Sequence, residues 1–149
     1  MNTGLIIFIA VTAVLVLAGA LRFLPYIKLR RAASAADVDI RLSKIMGMKM
    51  RRTNPANIVS LLIKAKRAGV ELTSDMLETL VLSRGRPGRV VDALIAAKSK
   101  GMPLEFRLAA AIDLSGKDPN EFVVLVNEPY TEQGLREAAR EYVDPPGEK

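Results

Sequence analysis

The stretch from Leu5 to Leu24 constrains this chain more than any other. It reads LIIFIAVTAVLVLAGALRFL, and its one charge, Arg22, sits near the far end. No ionisable side chain occurs from Met1 through Leu21. As an α-helix rising ~1.5 Å per residue, about twenty apolar residues span the ~30 Å hydrocarbon core of a bilayer. A helix closes its backbone hydrogen bonds on itself, so such a segment is stable in lipid. Thr12 can bond back to a carbonyl one turn earlier, and Gly4 and Gly19 are tolerated there. The expectation is a membrane-inserted helix carrying Leu5, Ile6, Ile7, Phe8, Ile9, Val11, Val14, Leu15, Val16, Leu17, Leu21, Phe23 and Leu24. Two other readings fit less well. Ala18-Gly19-Ala20 resembles a signal-peptide cleavage site, but no basic region leads the run and the charges after it are basic. A buried helix of a soluble core is the second, and the run is too long and too uniformly apolar for it, because a soluble surface helix keeps a polar face.

Charge placement sets the orientation. The net charge is +6, but between Arg22 and Arg67 twelve Lys/Arg face only two acids, Asp37 and Asp39. From Asn127 onward six acids face three bases. The basic excess therefore hugs the apolar run. By the positive-inside rule the N-terminus faces out and the bulk of the chain is cytoplasmic. Arg22, Tyr26, Lys28, Arg30, Arg31, Arg41, Lys44, Lys49, Arg51 and Arg52 are the candidate contacts for anionic lipid head groups.

Pro25 is expected to kink or end the first segment, with Tyr26 in the head-group belt. Lys28 to Ala36, basic and then alanine-rich, reads as a helix at the interface. Val38, Ile40 and Leu42 alternate with polar residues as a strand would, whereas Leu42, Ile45, Met46 and Lys49 fall at helical spacing. An interfacial amphipathic helix is favoured over the strand, with an ordinary core helix close behind.

Beyond this the chain repeats itself. Asn54-Pro55 starts a helix with Ile58, Val59, Leu62, Ile63 and Ala65 on its apolar side, and Gly69 ends it. Thr73 or Ser74 caps a second helix with Met76, Leu77, Leu80, Val81 and Leu82 inside, and Gly85 stops it. Pro87, Val90, Val91, Leu94, Ile95, Ala97, Lys98 and Gly101 then match Pro55, Ile58, Val59, Leu62, Ile63, Ala65, Lys66 and Gly69 at a shift of 32. A helix from Phe106 to Leu114 follows and Gly116 stops it. Pro119 opens a third copy, with Phe122, Val123 and Val126. Two and a half helical-hairpin units of about 32 residues fit a short solenoid or a compact bundle. Glu132 to Val143 reads as a polar helix with Leu135, Ala138, Ala139 and Tyr142 on one face. The expected fold is all-α, divided into a membrane-inserted helix (1–27), a basic interfacial segment (28–52), a helical repeat domain (53–129) and a polar C-terminal helix with a frayed tail (130–149).

The chain has no cysteine and no histidine. Disulfides, thiolate chemistry and the favoured zinc and haem ligands are excluded, and the usual nucleophile–base pairs lose their base. No catalytic, cofactor-binding or metal-ligating residue is assigned. Asp75 and Glu78 are one helical turn apart, a common spacing that suits a solvated helix start. Asp92 and Asp113 lie among apolar residues; each reads as partly exposed or Arg-paired, with a buried functional carboxylate as the lesser alternative. The Gly85-Arg86-Pro87-Gly88 turn lacks the Lys-Ser/Thr ending of a phosphate loop. Lys64, Lys66, Arg67, Arg84, Arg86 and Arg89 could meet nucleic-acid phosphates, but the hairpins are near neutral and no nucleic acid is expected.

Four ordered pieces, MGMKMRR (Met46 to Arg52), LIKAKRAGVEL (Leu62 to Leu72), RVVDALIAAKSKGMPL (Arg89 to Leu104) and AAIDLSGKD (Ala110 to Asp118), follow the apolar run. Together they resemble the N-terminal region of bacterial flotillin-like proteins of the FloA type, over about Leu5 to Pro129. The resemblance implies a non-catalytic, membrane-anchored protein of the bacterial cell membrane. It implies a scaffold that self-associates, or joins a full-length relative, orders lipids into microdomains and recruits other membrane proteins. The family continues into a band-7 (SPFH) domain and an assembly region, and this chain diverges after Pro129. A short regulatory or remnant form is therefore an alternative, and a membrane-tethered nucleic-acid module a second. The family's second membrane stretch is more apolar than Ala32 to Ile45 here, which favours one inserted helix over a re-entrant hairpin.

Overall fold

A computed structural model describes residues 3–35, 47, 53–128 and 130–145. Among them every regular element is an α-helix. The first, α1 (Thr3–Ala35), has 33 residues, about 50 Å of rod. The Thr12 hydroxyl donates to the Phe8 carbonyl at 2.8 Å, so its one polar side chain between Phe8 and Leu21 is satisfied within the helix. Of the two outcomes read for Pro25, a kink or an end, the structure overturns the second: α1 runs on to Ala35. The proline withholds one N–H, but Leu24, Lys28, Leu29, Arg30, Ala32 and Ala33 around it are good helix formers. The division drawn between residues 27 and 28 thus cuts through one continuous helix. The choice between strand and helix for Val38 to Met50 lies outside the described residues, apart from Gly47.

Six helices follow: α2 (Pro55–Arg67), α3 (Ser74–Leu82), α4 (Pro87–Ser99), α5 (Phe106–Leu114), α6 (Pro119–Leu125) and α7 (Glu132–Val143). Their starts are written in side-chain chemistry. Asn54 Oδ1 accepts from the amides of Ala56 and Asn57, with Pro55 in the first helical position. Thr73 caps α3 through Met76, Asp118 caps α6 through Asn120, and Thr131 caps α7 through Gly134. α2 and α4 have 13 residues each, α3 and α5 have 9 each, and the corresponding helices begin 32 residues apart.

The turns correct one expectation. Gly69, Gly101 and Gly116 take positive φ where α2, α4 and α5 end, as glycine stops do. After α3 the left-handed residue is Arg84 (φ 63°), not Gly85. That conformation costs a residue with a Cβ roughly 1–2 kcal/mol. Gly85 is needed for a different reason: a Cβ there would lie 2.2 Å from Leu80 Cδ1.

α2, α4 and α6 lie side by side and run in the same direction. Near their starts, Asn120 Nδ2 donates to the Arg89 carbonyl at 3.2 Å and Arg89 pairs with Asp118 at 3.5 Å. Near their ends, Lys98 Nζ donates to the Gly69 carbonyl and Lys100 Nζ to that of Val123. α3, α5 and α7 run back between these ends. The core forms three patches. Ile58, Val59, Leu62 and Ala65 of α2 meet Leu77 and Val91. Leu80, Val90, Leu94, Ala109 and Ala110 form the middle. Ala93, Ala97, Met102, Ile112, Phe122 and Val123 join Leu135 and Ala139 of α7. α7 thus buries the apolar face read from sequence, and belongs to the same core as the hairpins.

Met76 and Leu82 do not point inward as expected; they are exposed. Five apolar residues in seven cannot share one ~100° stripe of a helix, and α3 turns Leu77 and Leu80 inward together with Ser74 and Glu78. Phe122 is the largest side chain in the core and is 1% exposed. Phe122→Ala should lower stability by about 3–5 kcal/mol, whereas Val124→Ala on the same helix, at an exposed position, should change it by less than about 0.5 kcal/mol. Thermal melts followed by circular dichroism check both.

Candidate functional site

Two surfaces and one set of polar clasps carry the chemistry of this chain. The first surface is α1. Its side chains are described at 8–21, 24, 27, 28, 31 and 34. Phe8, Ile9, Val11, Val14, Leu15, Val16, Leu17, Leu21 and Leu24 are all exposed, Phe8 by 70% and Leu15 by 67%. Apolar exposure of that extent along one helix is foreign to a water-facing surface. Among the described residues no helix is long and apolar enough to cross a membrane. The unbroken described run, Phe8 to Leu21, is shorter than the ~20 residues a bilayer requires. The side chains of Leu5, Ile6, Ile7, Arg22, Phe23, Tyr26 and Arg30 lie outside the description, although their backbone is helical. Lys28 and Arg31 are exposed on α1. Arg41, Lys44, Lys49, Arg51 and Arg52 lie outside the described residues.

The carboxylates singled out from sequence separate into distinct roles. Asp92 is exposed and pairs with Lys64 at 2.6 Å, tying α4 to α2. Such an exposed pair contributes at most about 1 kcal/mol. Asp113 is 5% exposed, more buried than the sequence suggested, and is not Arg-paired through its guanidinium. Its Oδ2 accepts the backbone N–H of Arg86 at 2.6 Å. Arg86 opens α4 without a side-chain cap bond, and the carboxylate from α5 binds the amide of Arg86 itself, not the amides inside the first turn that Asn54 and Asp118 bind in α2 and α6. The periodicity missed this contact because the carboxylate comes from 27 residues away. Glu78 is buried on α3, not facing solvent as read, because α3 turns its Ser74–Leu77–Glu78 side inward.

Asp118 binds Asn120 through the backbone amide and the side chain, with the Arg89 and Arg86 guanidinium groups nearby, and these hold its carboxyl below its ordinary value. The Tyr142 hydroxyl donates to Glu121 Oε2 at 2.7 Å and lies 3.3 Å from the Asp118 carbonyl. Burial, then the Glu121 carboxylate, push its pKa up to about 12. The ring packs on Phe122 at 5.8 Å, with Lys117 Nζ 5.7 Å from its centre. These groups fasten α7 across α6. Among the described residues no three His, Cys, Asp or Glu side chains gather as a metal site would need.

The second surface is an open groove of about 1000 Å³ between α5 and α7. Leu108, Ala111, Ile112, Ala139 and Val143 line it, and Glu105 and Arg136 approach each other to 3.7 Å at its rim. Only the docking of α7 on α5 creates it, so no linear motif announces it.

The two clasps titrate in opposite directions. The raised Tyr142 pKa means its stabilisation is full below about pH 10 and is lost as pH rises toward 12. The lowered Asp118 value means its stabilisation is full above about pH 4 and is lost as pH falls through its folded-state pKa. Tyr142→Phe should remove the late tyrosinate transition from an ultraviolet titration. Asp118→Asn should flatten the acid limb of the melting temperature against pH.

Comparison with known proteins closes the question of kinship. The family described as "Flotillin-like protein FloA" matches residues 5–133. The flotillin-like protein FloA of Staphylococcus aureus strain Newman is 42% identical over 117 residues, covering 78% of this chain and 35% of that protein. The counterparts in strains USA300 and MRSA252 give the same figures. The chain therefore spans about a third of the length of the curated relatives it matches. No solved structure matches. The span from α1 to the start of α7 is the span that matches, and the chain belongs to the flotillin-like FloA family.

Proposed function

We propose that this chain is a membrane-anchored scaffold or adaptor that helps to organise microdomains of the bacterial cell membrane and binds other membrane proteins. The observation that carries the reading is α1. Its sequence from Leu5 to Leu24 holds one charge, its backbone is helical throughout, and its described apolar side chains stand exposed. Burying exposed apolar surface contributes about 25 cal/mol per Å², and a bilayer offers that burial along the apolar part of the rod that precedes Arg22. The cations from Arg22 to Arg52 then sit at the inner head groups, with the N-terminus outside and the helical cluster in the cytoplasm.

The cluster acts as the contact module. Read as hairpin units of 32 residues, α2–α3 and α4–α5 are complete copies, and α6 opens a third whose return helix is α7. Each unit buries its apolar side on the next and leaves its turns exposed. Self-association, or association with a longer relative, and the capture of other membrane proteins fall to these exposed turns and to the groove between α5 and α7. Asp118 caps α6, and Asp92, Asp113 and Glu121 tie neighbouring helices together; a non-catalytic role is part of this proposal.

The protein should sediment with membranes and stay there through high-salt and alkaline carbonate washes. Recovery in the supernatant refutes the anchor. Protease added outside intact cells should leave the helical cluster whole, and its digestion there refutes the orientation.

A further inference from the structure

The turns after α3 and α5 lie side by side. Asp113, in the last turn of α5, accepts the amide of Arg86 at the start of α4. Arg89 on α4 reaches Asp118 at the start of α6. Because α2, α4 and α6 are parallel, this end also holds Thr53 and Asn54, where the chain arriving from α1 enters the cluster. Leu82 (55% exposed) and Leu114 (49% exposed) stand at this end, 32 residues apart and therefore at the same point of successive hairpins. Exposed Arg84, Arg86 and Lys117 flank them. Of the acids here, Asp113 is buried on its amide, Asp118 is paired with Arg89 and Glu121 accepts from Tyr142, while Glu141 and Asp144 at the end of α7 are exposed.

Arg84 adds an independent observation. It holds the left-handed conformation that glycine holds at residue 116, the same place one unit later. An exposed guanidinium therefore stands where the next unit presents a bare turn.

We propose that this end of the helical cluster is a second membrane-contacting surface, in which Leu82 and Leu114 enter the head-group region of an anionic bilayer and Arg84, Arg86 and Lys117 meet the lipid phosphates. The proposal rests on the α1 anchor, which delivers this end to the membrane and makes docking intramolecular. Paired leucines favour lipid over a nucleic-acid backbone, which offers phosphates but nothing for the leucines to enter.

The chain contains no cysteine, so single introduced cysteines report one place each. The full chain is reconstituted in phosphatidylglycerol/phosphatidylcholine vesicles or in phosphatidylcholine alone. An environment-sensitive fluorophore is placed at Ser83→Cys, Ser115→Cys or, at the far end of α4, Ser99→Cys. With phosphatidylglycerol present, labels at 83 and 115 should shift to the blue and be quenched by nitroxide-bearing lipids, while the label at 99 stays aqueous. Arg84→Gly should hold or raise the melting temperature, because glycine accepts the left-handed conformation, and should reduce the docked-to-undocked ratio about fivefold, the equivalent of ~1 kcal/mol for one cation near such a surface. Leu82→Glu with Leu114→Glu should abolish the shift. If carbonate-resistant protein shows labels at 83 and 115 as aqueous as at 99, the surface is refuted and the anchor stands. If the protein does not pellet, the anchor fails. The surface is then read from salt-sensitive co-flotation with anionic vesicles, and absence of co-flotation overturns it. The same shift produced by duplex DNA without lipid also overturns it.

Discussion

Everything in the helical cluster leans on α4. Its neighbours cover it on three sides, and Val90, Val91, Ala93, Leu94 and Ala97 are all buried. Val91 closes the patch made by α2, Val90 and Leu94 fill the middle, and Ala93 and Ala97 face α6. The two alanines matter for their size. They let α6 and α7 approach closely enough for Phe122 to be enclosed, and a larger side chain at either would have to displace it. A helix apolar on so much of its circumference cannot stand alone in water, so the cluster forms around it or not at all.

The polar contacts are secondary in energy but decisive for geometry. The start of α4 lacks a side-chain cap of its own, and the carboxylate of Asp113 from the neighbouring hairpin holds the amide of its first flanking residue, Arg86. A buried carboxylate set against a helix N-terminus is favourably placed. It also fixes the angle between α5 and α4, because the 2.6 Å bond tolerates little sliding. At the other side, Tyr142 does the same for α7 by bridging Glu121 and the Asp118 backbone. The family match ends at residue 133, yet Leu135 and Ala139 beyond it are buried in the same core.

Much of this was legible in the sequence because it is local. Asn54-Pro55, Thr73 and the glycines at 69, 101 and 116 mark helix ends through their own side-chain or backbone preferences, and those helices end where they say. The 32-residue spacing is visible because equivalent helices share prolines and apolar positions. What escaped notice depends on distant partners or on a contest between rules. Pro25 argues for a break, but the helix formers around it prevail. Arg84 takes the left-handed place that Gly85 advertises, because Gly85 is claimed by the side chain of Leu80. The inward face of α3 could not be chosen from five apolar residues competing for one stripe, and the groove between α5 and α7 exists only after docking. The membrane-facing residues were named from hydropathy alone. The structure adds exposure for those it describes, which is a statement about water rather than about lipid.

The fastening of each helix mainly to its immediate neighbours has a kinetic side. Pro55, Pro87 and Pro119 preset the first turn of their helices. Contacts that join segments close in the chain need little loop entropy to form. A polypeptide built this way can assemble progressively as it leaves the ribosome, each hairpin ready to receive the next.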